Sequence, residues 1–245
     1  MNMKTIIGID VGGSTTKIVG FYDYGDRLEM IEPQFVRAND PITATYGAFG
    51  KFTDENGINI SSIDKVMMTG VGSSYVKHDL YGIDCERVPE FSSIGRGGLY
   101  LSGLEKALVV SMGTGTALVH AVRGEEPEYL GGTGVGGGSI VGLSKLLCGA
   151  ESIDNIALLA EDGDLGNIDL RIGDITSRES MAGLPEELTA ANFGNVSDLA
   201  TKSDIALGIL NTVYEAIGMV SVFAARTRGD RDIILTGNLT KLDFC

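Results

Sequence analysis

The sequence has no run of ~18 uninterrupted apolar residues, so no segment has the plain composition of a membrane span. Its opening, Met-Asn-Met-Lys-Thr-Ile-Ile-Gly-Ile-Asp, holds a short apolar stretch that ends in aspartate. That stretch lacks the length of a signal h-region and any small-residue cleavage site, so a cytoplasmic protein is expected. Cysteine is scarce. Cys85, Cys148 and Cys245 are an odd number, far apart and without a Cys-x-x-Cys pair, which argues against a disulfide frame or a zinc site. The two histidines, His78 and His120, are expected to be surface or structural residues. Positive charge is also short, with 19 Lys and Arg against 33 Asp and Glu and a formal net charge of -14. A field of that sign repels phosphate, which excludes a nucleic-acid binder and a polybasic membrane-surface protein. Any phosphate site must therefore be local. No Gly-x-x-x-x-Gly-Lys-Ser/Thr occurs, so a Walker loop is excluded.

Glycine is in excess, with 35 in 245 residues against the roughly 7% typical of proteins, and the excess is clustered. The apolar run over 4–10 and the β-branched and aromatic run over 15–22 flank Gly12-Gly13-Ser14, a pattern that predicts a hairpin. A third strand is expected near Arg27–Val36. Asp40-Pro41 predicts an N-capped helix to about Glu55, and Asp64–Thr69 a buried strand ending in Gly70-Val71-Gly72-Ser73-Ser74. A short strand near Arg87 then leads into a helix through Leu101. The pattern restarts at Lys106–Met112, with a second turn at Gly113–Thr116, a return strand Ala117–Val122 and a third strand at Glu128–Gly131. The nonapeptide Gly131–Ser139 opens a helix that stops at Gly149. Further helices are expected at 151–162, 165–176 and 203–228, before a strand Arg231–Thr236. The duplication predicts an α/β fold with two half-domains, 1–103 and 104–245, and a cleft between them.

Asp10-Val-Gly-Gly-Ser-Thr-Thr-Lys17 carries more than turn chemistry. Backbone amides at Gly12, Gly13, Ser14 and Thr15 can converge on phosphate oxygens. Asp10 can hold Mg2+ through water, and Lys17 can neutralise a phosphate. The turn Ser111-Met-Gly-Thr-Gly-Thr-Ala117 repeats the geometry around Thr114 and Gly115, and two facing cradles suit a nucleoside triphosphate such as ATP. Gly136, Gly137, Gly138 and Ser139 lie at a helix N-terminus, which favours an anion or ribose contact as well as close packing. Glu90 follows Pro89 at a helix start. By spacing it is either a first-turn acid favoured by the dipole or a general base for a substrate hydroxyl. Cys148, on an apolar helical face, reads as a small core residue.

Together these segments resemble the type II pantothenate kinases over nearly the whole chain. The resemblance rests on Gly-Ile-Asp-Val-Gly-Gly-Ser, Pro-Glu90-Phe, Met-Gly-Thr-Gly-Thr and Gly-Gly-Thr-Gly-Val-Gly-Gly-Gly. It extends to Gly163-Asp164, Asn167-Ile168-Asp169-Leu170 and Leu188-Thr-Ala-Ala-Asn-Phe-Gly-Asn195. It implies the ribonuclease H-like fold of actin, hexokinase and Hsp70, with two half-domains and an interdomain nucleotide cleft. It further implies transfer of the ATP γ-phosphate to the primary hydroxyl of pantothenate. In that family the loop matching Asp10–Lys17 binds ATP and Mg2+, residues matching Thr114 and Gly136–Ser139 contact the nucleotide, and the glutamate matching Glu90 is the catalytic base. Gly237 and Asn238, in the turn after the last strand, join the expected nucleotide contacts. The family is usually homodimeric through the second half, where the 203–228 helix lies, and a coenzyme A or acyl-CoA regulator is a further expected partner.

Two departures bear on those expectations. Tyr129 stands where family members carry an arginine on the substrate side, and a phenol does not supply a guanidinium's charged fork of donors. The acceptor is therefore pantothenate or a related small hydroxyl compound. Family chains also continue after the strand matching Ile233–Leu235 with a further helix, strand and terminal helix, so a chain ending at Cys245 is expected to lack part of the adenosine pocket. The opening motif is similar, too, to activator ATPases of 2-hydroxyacyl-CoA dehydratases and benzoyl-CoA reductase, but Cys85 and Cys148 lack an iron–sulfur context. A nucleotide-binding homologue without turnover is the remaining alternative.

Overall fold

Ile7, Ile9 and Val11 alternate with half-exposed neighbours along β1 (Lys4–Val11), the period-2 pattern of a strand with one face in a core. β2 (Thr16–Asp23) returns antiparallel with Asp10 opposite Lys17, and β3 (Leu28–Val36) pairs with the far side of β2. α1 (Pro41–Glu55) begins where the Asp40-Pro41 pair predicts. The Asp40 carboxylate accepts from the Thr43 amide at 2.7 Å, and Pro41 occupies the first turn, where its missing N–H costs nothing. Ala48, Phe49 and Phe52 of α1 pack with Ile7, Ile9 and Ile18 in one apolar core. β4 (Ile63–Thr69) joins β1 in parallel and β5 (Cys85–Arg87) joins β4 in parallel, giving the order β3-β2-β1-β4-β5. α2 (Glu90–Ser102) follows.

The computed structural model describes residues 3–12, 15–37, 40–76, 79–176 and 183–242. Its chain divides into two compact units, Met1–Ser93 and Ile94–Cys245, with the division inside α2. In the second unit β6 (Lys106–Met112), β7 (Thr116–Val122) and β8 (Glu128–Thr133) form an antiparallel meander. β11 (Ile233–Thr236) adds in parallel to β6, for an order β11-β6-β7-β8. This reproduces β4-β1-β2-β3 of the first unit. The duplication expected from the sequence is a real repeat of topology, down to Thr236 beside Ser111 as Thr69 is beside Asp10.

Between β8 and β11 lie α3 (Gly137–Leu147), α4 (Ile153–Ala160), β9 (Leu170–Arg171), the single-turn α5 (Ile172–Ile175), β10 (Thr189–Ala191) and α6 (Lys202–Arg228). The helix expected over 165–176 does not form. Asp164 bonds the Gly166 amide at 2.8 Å and closes a 3-10 turn over Leu165–Asn167. Leu170–Arg171 then pairs with β10, and the fully buried Asp169 accepts from the distant Phe193 amide and Asn211 side chain. Tertiary partners override the local helical pattern there.

α6 is long and apolar enough to cross a membrane by length and composition, but its Ile209, Leu210, Val213 and Ile217 are buried in the core of the second unit. Thr201 and Asp204 cap its start reciprocally, and Gly229 closes its end at φ +65°. Just beyond, the buried Asp230 carboxylate meets His120 Nδ1 at 2.9 Å and Lys106 Nζ at 3.3 Å, so His120 is structural, as expected. His78 and Cys245 lie outside the described residues.

Candidate functional site

In the first unit β1, β4 and β5 run parallel, so their carboxyl ends share one edge of the sheet. In open α/β sheets that edge is where ligands sit. Asp10 lies one residue from the end of β1, Thr69 ends β4, and Glu90 follows β5 by three residues, after the Val88 amide has bonded the Met68 carbonyl at 2.8 Å. Register partners share a face of the sheet, so Lys17, Asp10 and Thr69 form one cross-strand row. Lys17 Nζ donates to Asp10 Oδ2 at 2.7 Å, with the two side chains 40% and 32% exposed. An ion pair that open to water is worth at most about 1 kcal/mol, so an incoming phosphate can take the ammonium. Gly12 closes the β1–β2 turn by donating to the Thr15 carbonyl at 3.1 Å. Gly13 and Ser14 lie outside the described residues. Glu90 is exposed and has no hydrogen-bond or ionic partner among them.

The sequence reading passed over the step that shapes this row. Gly70 adopts φ +85° and ψ 158°, a region essentially closed to other residues. A Cβ there would lie 2.4 Å from Asp10 Oδ1 and 2.6 Å from the Val11 carbonyl oxygen. Gly237 repeats the device in the second unit, with φ +99° and a Cβ position 2.4 Å from the Met112 carbonyl oxygen. The recurrence of Thr-Gly at 69–70 and 236–237, each after a strand parallel to the first of its unit, was the available signal. Asn238 follows Gly237 as the first residue of a short 3-10 turn, Asn238–Lys241.

Gly113, Thr114 and Gly115 form the β6–β7 turn, closed by the Gly113 amide on the Gly115 carbonyl at 2.9 Å. The start of α3 locks onto it. Gly137 and Gly138 donate to the Gly113 and Thr114 carbonyls, each at 2.9 Å, and a Cβ on Gly136 would meet Thr114 O at 2.7 Å. Ser139 donates its amide to the Gly136 carbonyl and its hydroxyl to the Gly134 carbonyl. The third glycine stretch therefore spends amides on fixing the second turn, the packing role that was one of its two readings. Tyr129 is half-exposed on β8, beside a bulge at Leu130, and its hydroxyl lies 3.0 Å from the Cβ position of Gly132, in the row of Ser111 and Ala117.

The segments Gly163–Leu170 and Leu188–Asn195 dock on one another and on α6. Phe193, at φ +55°, donates its amide to Asp169 Oδ1 at 2.8 Å, and Asn211 Nδ2 reaches Asp169 Oδ2 at 2.9 Å and Thr189 Oγ1 at 3.3 Å. Asn195 and Ser197 donate to the Ile168 and Asn167 carbonyls. Asp204 accepts from the Thr201 and Asp164 amides at 2.8 and 2.7 Å, and these bonds hold its carboxyl below the usual range.

A family model described as Fumble matches residues 6–243. The chain belongs to the Fumble family. A relative from Bacillus cereus (strain G9842), named type II pantothenate kinase, is 30% identical over 96% of this chain and 84% of its own length. Among solved structures, component A of (R)-2-hydroxyglutaryl-CoA dehydratase from Acidaminococcus fermentans is similar with a TM-score of 0.65 at 14% identity, covering 97% of this chain and 84% of that one. The activator of 2-hydroxyisocaproyl-CoA dehydratase from Clostridium difficile, solved with bound ADPNP, is similar at a TM-score of 0.63 and 14% identity over 98% and 82% of the two chains. At that identity the likeness shows the fold, which is the actin/Hsp70-type fold that the family resemblance implies.

The first loop of this Fumble-family chain fits a hydrated divalent cation carried in with phosphates. Mg2+ is usually bound through one or two carboxylates with waters and substrate oxygens completing its shell. Asp10 supplies one carboxylate, the Thr69 hydroxyl is buried without a partner on the neighbouring strand, and the absence of a Cβ at Gly70 lets the carboxylate sit where a side chain would otherwise intrude. Among the described residues no group of three His, Cys, Asp or Glu forms an all-protein metal cage.

Proposed function

We propose that this chain transfers the γ-phosphate of ATP to the primary hydroxyl of pantothenate, giving 4'-phosphopantothenate and ADP, the first step of coenzyme A biosynthesis. The observation that carries the reading is the placement of Asp10, Lys17 and Glu90 along one edge of the first unit's sheet, with Asp10 near the carboxyl end of β1, Lys17 opposite it at the start of β2, and Glu90 beyond the carboxyl end of β5. Family membership and the name carried by the Bacillus cereus relative support the choice of acceptor. Glu90 is an exposed carboxylate at a helix start, without a partner among the described residues, and is suited to accept the hydroxyl proton as the oxygen forms its bond to the γ-phosphorus. The bond from that phosphorus to the β–γ bridging oxygen breaks, and ADP leaves. Lys17 exchanges Asp10 for a phosphate oxygen, bringing a positive charge to the transferred group in a protein that is otherwise strongly negative. Mg2+, when bound, spreads the negative charge of the phosphates.

The remaining assignments belong to the same proposal. Gly12, Gly13, Ser14 and Thr15 form the first phosphate loop, and Asp10 holds the metal side. Thr114 and Gly115 contact the nucleotide. Gly136–Ser139 shape that turn and present the positive end of the α3 dipole, and Gly237 and Asn238 lie towards the adenosine. The half-domains of this reading are 1–103 and 104–245. The protein works in the cytoplasm as a homodimer through α6, whose Met219, Val220 and Phe223 are exposed, and coenzyme A or an acyl-CoA is its regulator. An iron–sulfur activator role has no support from the described cysteines. Among the described residues no group of three His, Cys, Asp or Glu gathers around Cys85 or Cys148.

The test is an ADP-release assay with pantothenate, pantetheine and a sugar panel, on wild type and Glu90→Gln. Turnover with pantothenate is expected to fall by about 10²–10⁴-fold in the variant while nucleotide binding is retained. Equal turnover in the two proteins overturns the base assignment. Transfer by wild type to a different acceptor alone overturns pantothenate.

A further inference from the structure

Among the described residues four buried side-chain polar atoms lack a hydrogen-bond partner, namely Gln34 Oε1, Thr69 Oγ1, Ser144 Oγ and Asp230 Oδ1. Asp230 Oδ1 faces the Lys106 ammonium at 3.3 Å, Gln34 is anchored through Nε2 on Glu55, and Ser144 sits inside α3 on its buried face. Thr69 differs because its orphan hydroxyl stands in the row that carries Asp10 and Lys17. The first unit satisfies comparable hydroxyls locally, since Thr45, Thr53 and Ser73 each donate to a backbone carbonyl within four residues. A buried hydroxyl without a partner is destabilising, and valine has nearly the same shape and a high strand preference. A threonine there invites a reason in the ligand-bound state.

We propose that Thr69 is a positioning residue that holds the Asp10 carboxylate once Lys17 has left it for a phosphate. Asp10 Oδ2 has its 2.7 Å partner in Lys17, and Oδ1 is crowded against Gly70, so the carboxylate is held by one cation and one wall. When phosphate oxygens draw the ammonium away, Asp10 loses that cation. The Thr69 hydroxyl, on the neighbouring strand and the same face, is then the nearest unspent donor in the row, and its bond to the carboxylate keeps Asp10 aimed at the metal side. The inference rests on the reading that magnesium–nucleotide binds at the first loop.

The experiment measures calorimetric binding of a non-hydrolysable ATP analogue, with and without Mg2+, to wild type, Thr69→Val and Thr69→Ser. Thr69→Val is expected to bind the metal-free analogue as wild type does and to lose about tenfold of the affinity that Mg2+ adds. Thr69→Ser restores it. Because the ligand-free state loses an orphan hydroxyl, Thr69→Val melts at or above the wild-type temperature. Wild-type magnesium dependence in Thr69→Val, failure of serine to rescue, or a lowered melting temperature in the valine variant overturns the assignment and leaves the kinase reading standing. A wild-type protein whose affinity for the analogue is unchanged by Mg2+ overturns both.

Discussion

Gly70→Ala is the sharpest probe of how the first loop is held. The alanine must adopt φ +85°, ψ 158°, which costs about 1–3 kcal/mol for a residue with a Cβ. That Cβ would start 2.4 Å from Asp10 Oδ1 and 2.6 Å from the Val11 carbonyl oxygen, where ordinary contact begins near 3.4 Å, so the carboxylate must retreat by about 1 Å. A backbone carbonyl on β1 yields less readily than a side chain, and the crowding adds about 1–3 kcal/mol. The combined loss of about 2–6 kcal/mol corresponds to a melting shift of at least about 8 °C for a unit of this size. A 1 Å displacement of a site carboxylate costs on the order of 10²-fold in turnover. Gly57→Ala is the control, because Gly57 has φ +62° but no atom within 4 Å of its Cβ position, leaving a cost of about 1–2 kcal/mol. Thermal melting and a Mg2+ titration of turnover read both effects. Equal melting shifts in the two variants, or an unchanged titration in Gly70→Ala, would refute the reasoning.

Asp204→Ala leaves the Thr201 and Asp164 amides without their acceptor and is expected to cost about 2–4 kcal/mol in urea unfolding at pH 7. Because folding lowers the Asp204 pKa, that contribution is full above the unfolded value of 3.8 and disappears as pH falls through the lower folded value. The gap between wild type and variant should therefore hold from pH 7 to about pH 5 and close only in strong acid; a gap already closed at pH 5 contradicts the hydrogen-bond assignment. Cys148 is buried and its thiol is pushed up, with Lys202 opposing in part. Its alkylation at pH 8, followed by peptide mass, is expected to speed up at least about tenfold on unfolding, and equal rates in folded and unfolded protein would count against its burial.

What the sequence made legible was what its neighbours in the chain decide. The β1–β2 hairpin follows from an apolar run broken by glycines, α1 from Asp40-Pro41, and the repeat of the meander from the restart at Lys106. What it hid depends on distant partners. The segment 165–176 has a helical pattern, but Asp169 answers to Phe193 and Asn211, which lie 24 and 42 residues away. That the Gly137 and Gly138 amides at the start of α3 bond the Gly113 and Thr114 carbonyls is likewise a contact between segments that no local pattern announces. Thr69 reads as the last residue of a buried strand, and only its register beside Asp10 makes its hydroxyl matter. Glu90 shows both kinds of limit, since its place at a helix start was readable and its lack of a partner among the described residues was not.

The two repeats share backbone devices and differ in charge. Each has a hairpin, a parallel strand ending in threonine, and a glycine at positive φ pressed on the end of the first strand. At the matching cross-strand position, however, the first unit pairs Asp10 with Lys17, whereas the second pairs Ser111 with Ala117 beside Gly132. The repeated parts are those that steric fit demands, because a Cβ at Gly70 or Gly237 has nowhere to go. A charged pair is not needed to build such a loop, so its presence in the first unit alone calls for a chemical reason. Lys17 and Asp10 supply the two things a phosphoryl group and its cation need, one positive charge and one carboxylate. The second loop, fixed by the start of α3, carries no such pair. On the proposed role of the second loop in nucleotide binding, installing aspartate at Ser111 should weaken that binding, since it adds a negative charge with no lysine at position 117 to answer it. An unchanged affinity of Ser111→Asp for the ATP analogue would show that this row does not face the phosphates.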